Sequence, residues 1–320
     1  MRQYYDHFLK TLEERYPHKP DLVNALMDVL HIEKESIYRR LRKDVYFTSE
    51  EILRIADVWN ISLDNMISLT PDKTRPFHFN MIEYVHPRES DYKFLEEHNR
   101  KLEMVGNDPN GKMIEVLNAL PRGLYCRSEH LTRFVTMKWL YKYGSFEDVV
   151  PFSAIHIPER MRALDMEYVR LVHHIREVHS IHDERFIEHL IDDILYFRSI
   201  GMVTEEEVTL LRGELITLLD YIEEVTVKGH FLTTENRLFF YLSHTWLDTE
   251  YTLYESKDVT LSFVKILERN SVSSSDKKVF DRFMNMVQAT KRSSVLMSGS
   301  NALQQVEFFA SQRDKITTLL

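Results

Sequence analysis

Apolar residues recur at helical spacing from the start of the chain, with Tyr5, Phe8, Leu9 and Leu12 on one side of residues 2–15, as a 3.6-residue period requires. Pro17 and Pro20 break this pattern, and Asp21 is placed to cap a second helix, LVNALMDVLH, with Leu22, Leu26, Val29 and Leu30 inward. A short turn at His31-Ile32-Glu33 leads to a third helix from Lys34 to Arg42. Thr48-x-x-Glu51 reads as a capping box for a fourth, EEILRIADVW, and Ser62 as the cap of a fifth, LDNMISL. Five short helices within residues 1–70 predict an all-α head.

Residues 71–88 change character. PDKTRPFHFNMIEYVHP carries three prolines and little helical period, so it reads as a linker. Beyond it, in 89–320, helical patterns are read near 89–106, 109–119, 128–142, 160–182, 184–200 and 204–228, with Thr204-x-x-Glu207 a second capping box and Gly201 closing the helix before it. After Lys228-Gly229 the segments RLFFYLSHT, EYTLYES and DVTLSFVKI are rich in β-branched and aromatic residues and read as three antiparallel strands. A helix from about Ser273 to Lys291, SVLMS as a fourth strand and a final helix complete the pattern. The expected fold class is therefore mainly α: a five-helix head, then a larger body that is helical over 89–228 and α+β over 229–320, its sheet small, antiparallel and near the C-terminus.

Composition agrees with long helices, since 320 residues include only 8 glycines and 9 prolines. A single cysteine, Cys126, excludes an internal disulfide and suits a reducing cytoplasm. No apolar run approaches the roughly 20 residues of a membrane span, and the N-terminus lacks the apolar core of a signal peptide. A cytoplasmic protein without membrane contact is expected. The net charge of −9 does not by itself suggest a nucleic-acid partner. The run EKESIYRRLRK, however, carries five positive residues against two negative, and its +3 leaves −12 on the rest of the chain.

That run falls on the third helix, where a helix-turn-helix would present its recognition face. Leu26, Leu30, Ile32, Ile37 and Leu41 supply inner anchors; Lys34, Glu35, Ser36, Tyr38 and Arg39 lie on or near the N-terminal outer face, where base edges are met; Arg40, Arg42 and Lys43 are placed for phosphates. The segment LMDVLHIEKESIYRRLRKDVYFTSEEILRIADVWNISLDNMI resembles the lambda-repressor-like (Xre-type) helix-turn-helix, with Leu53, Ile55-Ala56, Ile61 and Ser62-Leu63-Asp64 at that family's core positions. It departs from the family at His31, where glycine is usual; at Glu33, where a capping serine is usual; at Met27, where a small residue is preferred; and at Arg40, where an apolar residue is usual. Over nearly its full length the chain also resembles a bacterial family grouped as transcriptional regulators, through PFHFNM, FVTMKWLYKYG, DDILYFRSIGMVTEEE and KRSSVLMSGS…QQVEFFASQRDKI. The resemblance implies operator DNA as partner, a homodimer, and a body that dimerises or senses a small-molecule or protein effector. The competing expectation is a protein-interaction module with a vestigial helix-turn-helix.

Other constellations carry less. His173, His174, His179, His182 and His189 lie near Asp183, Glu184 and Glu188, and His179 and His182 could share a helix face, but the spacing matches no strong metal motif. Glu205-Glu206-Glu207 reads as charge at a helix N-terminus. Ser298-Gly299-Ser300 lacks the lysine of a phosphate loop, and Cys126 has no evident base. The aromatic stripes Trp139, Tyr141, Tyr143 and Phe239, Phe240, Tyr241 are assigned mostly to core, with some left for a pocket or dimer contact. No enzyme activity, cofactor or metal is expected.

Overall fold

In the computed structural model, which describes residues 2–59, 61, 77–299 and 302–320, the chain divides into two units, Met1–Pro76 and Phe77–Leu320. The first contains α1 (Arg2–Arg15), α2 (Lys19–Leu30), α3 (Lys34–Leu41) and α4 (Ser49–Val58). Pro20 sits in the first turn of α2, where its missing N–H costs nothing. Phe8, Leu12, Leu22, Leu26, Ile37 and Ile55 close a single core, each at most 1% exposed. Tyr5 ties the core to the segment after α3: its hydroxyl accepts from the Phe47 N–H at 3.0 Å and donates to the Arg40 carbonyl at 3.2 Å. The fifth helix expected from Ser62 lies outside the described residues.

The second unit is built on one eight-stranded mixed sheet, in the order β1-β7-β6-β5-β2-β3-β4-β8. Its strands are β1 (His78–Asn80), β2 (Lys112–Leu117), β3 (Glu177–Asp183), β4 (Arg237–Ser243), β5 (Tyr251–Glu255), β6 (Thr260–Ile266), β7 (Asn270–Ser274) and β8 (Ser294–Leu296). β2, β3 and β4 run parallel and are joined by helical crossovers, as parallel neighbours require. The first crossover carries α6 (Arg122–Tyr125), α7 (Glu129–Tyr143) and α8 (Glu159–His174); the second carries α9 (Phe186–Ser199) and α10 (Glu205–Lys228). β5, β6, β7 and β1 extend the sheet antiparallel from β2, and β8 closes the other edge against β4.

Strand alternation divides the two faces. Met113 and Val178 pack with Leu102 of α5 (Glu89–Asn107), Leu171 of α8 and Val225 of α10. On the opposite face, Ile114, Val116, Ile181 and Leu253 pack under Phe280 and Val287 of α11 (Lys277–Arg292). The final helix, α12 (Ala302–Leu319), buries Phe309 and Ile316 in the same core as α9 and α10.

The expectation of a mainly helical body with a small C-terminal antiparallel sheet is therefore overturned. The sheet spans the whole second unit and has a parallel centre. β1 falls in the segment read as linker, β2 inside the helical reading of 109–119, and β3 at the end of that of 160–182. β4 pairs in parallel with β3 and not with β5, while β5 and β6 do form an antiparallel hairpin. β7 occupies the start of the helix expected from Ser273, which begins instead at Lys277.

Candidate nucleic-acid face and interior cavity

The turn between α2 and α3 is short, with a left-handed C-cap followed by an extended N-cap. His31 adopts the left-handed conformation at φ 54° and its N–H bonds to the Met27 carbonyl at 2.8 Å, a position normally filled by glycine because a Cβ is strained there. Glu33 is the extended N-cap of α3, but its side chain caps no backbone N–H. α4, by contrast, has the full reciprocal box: Thr48 Oγ1 accepts from the Glu51 N–H at 3.2 Å, and the Glu51 carboxylate from the Thr48 N–H at 2.8 Å.

The helical period sets Glu35, Arg39 and Arg42 opposite the buried Ile37, with Tyr38 on the flank and partly packed against the same core. Lys34, Glu35 and Arg39 are exposed, and Ser36 and Tyr38 half-buried. The cations differ sharply in how they are used. Arg40 turns inward, with 16% of its side chain exposed, and forks onto both Glu51 oxygens at 2.7 and 3.0 Å; its Nη1 donates to the Ser36 carbonyl at 3.1 Å. Burial alone would raise the Glu51 pKa, but Arg40 and the Thr48 N–H hold it below its ordinary value. Arg40 thus joins α3 to α4. Arg42 is exposed yet shared between Glu35 at 2.9 Å and Asp44 at 3.1 Å, and Lys43, at φ 67°, reaches Asp6 of α1 at 2.6 Å. Lys34 and Arg39 have no side-chain partner among the described residues.

In the second unit, polar residues collect on the face of the sheet that packs against α5 and α8. Register places Ser180 of β3 and Thr252 of β5 on either side of Glu115 of β2. Glu115 is 8% exposed, and burial pushes its pKa up to about 7 against the Ser180 hydrogen bond and Lys265. Ser180 Oγ donates to Glu115 and lies 2.6 Å from His182 Nε2. Because that hydroxyl has one proton, His182 donates from Nε2, leaving a buried Nδ1 without a partner. Burial, with Lys265 adding, takes the His182 pKa down to about 3. A serine between a carboxylate and a histidine reverses the order of a nucleophile–base–acid relay, in which histidine is central.

Two cavities meet at Glu115 and Tyr168, with free interior volumes of about 40 and 120 Å³. The first is mostly apolar. The larger is lined by Tyr84, Tyr125, Tyr254 and Phe263, and by the charged Arg122, Lys265 and Arg269. Arg122 donates through Nε and Nη2 to one oxygen of the fully buried Asp165, at 2.9 and 2.6 Å, which keeps the guanidinium charged despite the burial that opposes it. His98, also on the cavity wall, is taken by burial, with Arg122 and Lys101, to a pKa of about 3.

The histidine cluster disperses. His179 and His182 lie three apart on β3 and so face opposite sides of the sheet. His179 stacks on Phe239 and bridges Glu177 (2.7 Å) and Lys291 (2.9 Å). His173 stacks on Phe231 with Tyr221 and Thr233 at hand; His189 meets the Asn118 carbonyl at 3.2 Å. Among the described residues no group of three His, Cys, Asp or Glu side chains is placed to hold a metal ion. Cys126 is fully buried, which pushes its thiol pKa up. Ser298 accepts the Phe240 N–H at 2.8 Å, and Glu207 completes the box with Thr204. Among the described residues, no helix is long and apolar enough to cross a membrane.

The sequence reading missed Glu115, Arg122 and Arg269. Glu115 was hidden in a segment read as helical, and only a lone carboxylate inside the apolar run MIEVL marks it. No protein-family model, curated protein or solved structure matches the chain.

Proposed function

We propose that the chain is a DNA-binding transcriptional regulator whose first unit reads operator DNA with α3, acting in the cytoplasm as a homodimer and without turnover of its own. The observation that carries this reading is the orientation of α3. Ile37 anchors it, α2 braces it through a glycine-like turn at His31, and Glu35, Arg39 and Arg42 stand on the opposite side. Base contacts fall to Lys34, Glu35, Ser36, Tyr38 and Arg39, and phosphate contacts to Arg42 and Lys43, whose carboxylate partners exchange for phosphate at little cost because they are exposed. Arg40 is withdrawn from the phosphate set, since its charge is committed to Glu51. Two heads in a dimer would read two half-sites, multiplying affinity and specificity.

One observation favours the rival reading, an interaction module. Four carboxylates, from Asp6, Glu35, Asp44 and Glu51, already neutralise Arg40, Arg42 and Lys43. The two readings separate in a selection of binding sites from random and genomic DNA by full-length protein, alongside Arg39→Ala/Arg42→Ala. A motif enriched by the wild type and lost in the double variant supports the regulator. No enrichment at low salt by folded wild type moves the assignment to the interaction module.

A further inference from the structure

The hairpin between β6 and β7 turns through Leu267 and Glu268, both in the left-handed region at φ 48° and 61°, and neither is glycine. Such strain persists only where neighbours hold it. Glu268 is held by Lys138 at 3.2 Å and by Lys142, both on α7. The turn presents Arg269 to the larger cavity, with its guanidinium 3.6 Å from the Tyr84 ring centre and 6.0 Å from that of Tyr125. Its Nη1 donates to Thr136 Oγ1, while its Nε is buried and has no partner.

The other cations here are matched. Arg122 has Asp165, Lys265 has Glu250 at 2.7 Å, and Lys138 and Lys142 share Glu268, with Asp193 also on Lys138. Arg269 makes no ion pair among the described residues; Asp165 favours its charge from beyond contact but is itself taken by Arg122. A guanidinium withdrawn from water without a counter-charge is costly unless an anion joins it. Beside it, Asn270 Nδ2 is likewise buried and unpartnered, its Oδ1 being occupied by the Ile82 N–H at 3.0 Å. His98 Nε2, a third orphan, lies elsewhere on the same wall. The walls between are aromatic.

We infer that this cavity binds a small planar monocarboxylate, an aromatic acid, with its carboxylate on Arg269 and Asn270, its ring among Tyr84, Tyr125 and Phe263, and a distal hydroxyl or amine toward His98 and Glu115. A carboxylate supplies the missing charge and has two oxygens to accept from the two orphan donors, and its planar shape suits a guanidinium. The second unit alone carries this inference. Only the further step, that the acid is the effector of a regulator, rests on the function proposed above.

The test is thermal stabilisation and calorimetry of the full chain with acetate, benzoate and 4-hydroxybenzoate, against benzamide and 4-hydroxybenzamide as neutral controls. The expected result is saturable stabilisation rising from acetate to 4-hydroxybenzoate, none from the amides, and a roughly tenfold or greater loss of affinity in Arg269→Met. The wild-type comparison of acid with amide stands even if that variant does not fold. Equal binding of acids and amides, undiminished binding by folded Arg269→Met, or no acid binding at millimolar concentration would each overturn the inference. Because the readout is binding and not DNA occupancy, failure of the regulator reading leaves it untouched, and the reverse holds too.

Discussion

Arginine does opposite work in the two units. At the surface of the first, Arg42 is shared by two exposed carboxylates, half its side chain remaining in water, so its pairs are weak, screened by salt and easily exchanged. In the interior of the second, Arg122 meets a fully buried Asp165, and Arg269 meets only a hydroxyl and two aromatic faces. There the same charge is costly to leave unmatched. Surface pairs suit a partner whose charges arrive in quantity, as a phosphate backbone does; an unmatched guanidinium on a cavity wall suits one small anion.

The comparison is broken most directly by Asp165→Ala, which strands the Arg122 charge. A loss of about 3–5 kcal/mol in urea unfolding is expected, and a loss below 1 kcal/mol would show that water reaches the pair. Next comes Glu115→Gln. The wild-type carboxyl titrates near 7 in the folded chain and near 4.5 when unfolded, so its stabilising contribution is complete below pH 4.5 and disappears as pH rises to 7. The variant should therefore gain on wild type across that window and level off about 2–3 kcal/mol ahead at pH 8. His98 and His182, titrating near 3 when folded, lose stability as pH falls from 6.5, but equally in both proteins. A difference that does not vary with pH would place Glu115 in water.

Smaller effects test the first unit. His31→Gly relieves a left-handed residue, and Glu33→Ser supplies the missing cap of α3; each should stabilise by about 0.5–1 kcal/mol in thermal unfolding. Destabilisation by His31→Gly would mean that the imidazole makes a contact worth more than the strain. Smallest is Glu35→Gln, which should change stability by less than about 0.5 kcal/mol, with the difference vanishing at high salt.

The first unit was largely legible because its information is local. The Thr48–Glu51 box, the break at Pro17 and the inward positions Leu22, Leu26 and Ile37 all state helix boundaries and faces within a few residues, although α2 starts at Lys19 with His18 as its N-cap, so Pro20 lies inside it and Asp21 does not cap it. The left-handed His31 was detectable only as a departure from the helix-turn-helix pattern, which has glycine there. In the second unit the local signals misled. On and just after β2, Met113, Val116, Leu117 and Leu120 satisfy helical spacing, although a strand buried on both faces is equally apolar. β3, EVHSIHD, is a central strand whose Glu, His, Ser and Asp conceal it from any hydrophobic pattern. What fixes both as strands is pairing with partners at distant positions, which no window along the chain contains. The cavity was illegible for the same reason: Glu115, Arg122 and Arg269 converge only once the sheet exists.

The place of β1 bears on how the molecule is made. Asn80 hydrogen-bonds Ser273, 193 positions later, so this edge of the sheet cannot close until the chain has been synthesised through β7. At roughly 5–20 residues per second that wait is about 10–40 s. The first unit, whose described contacts join residues close in sequence, has everything it needs to collapse on the ribosome long before then. Until residues 251–255 emerge, β2 lacks β5, its antiparallel neighbour, so the vulnerable species in the cell is a partly translated chain with a finished head and an open sheet edge.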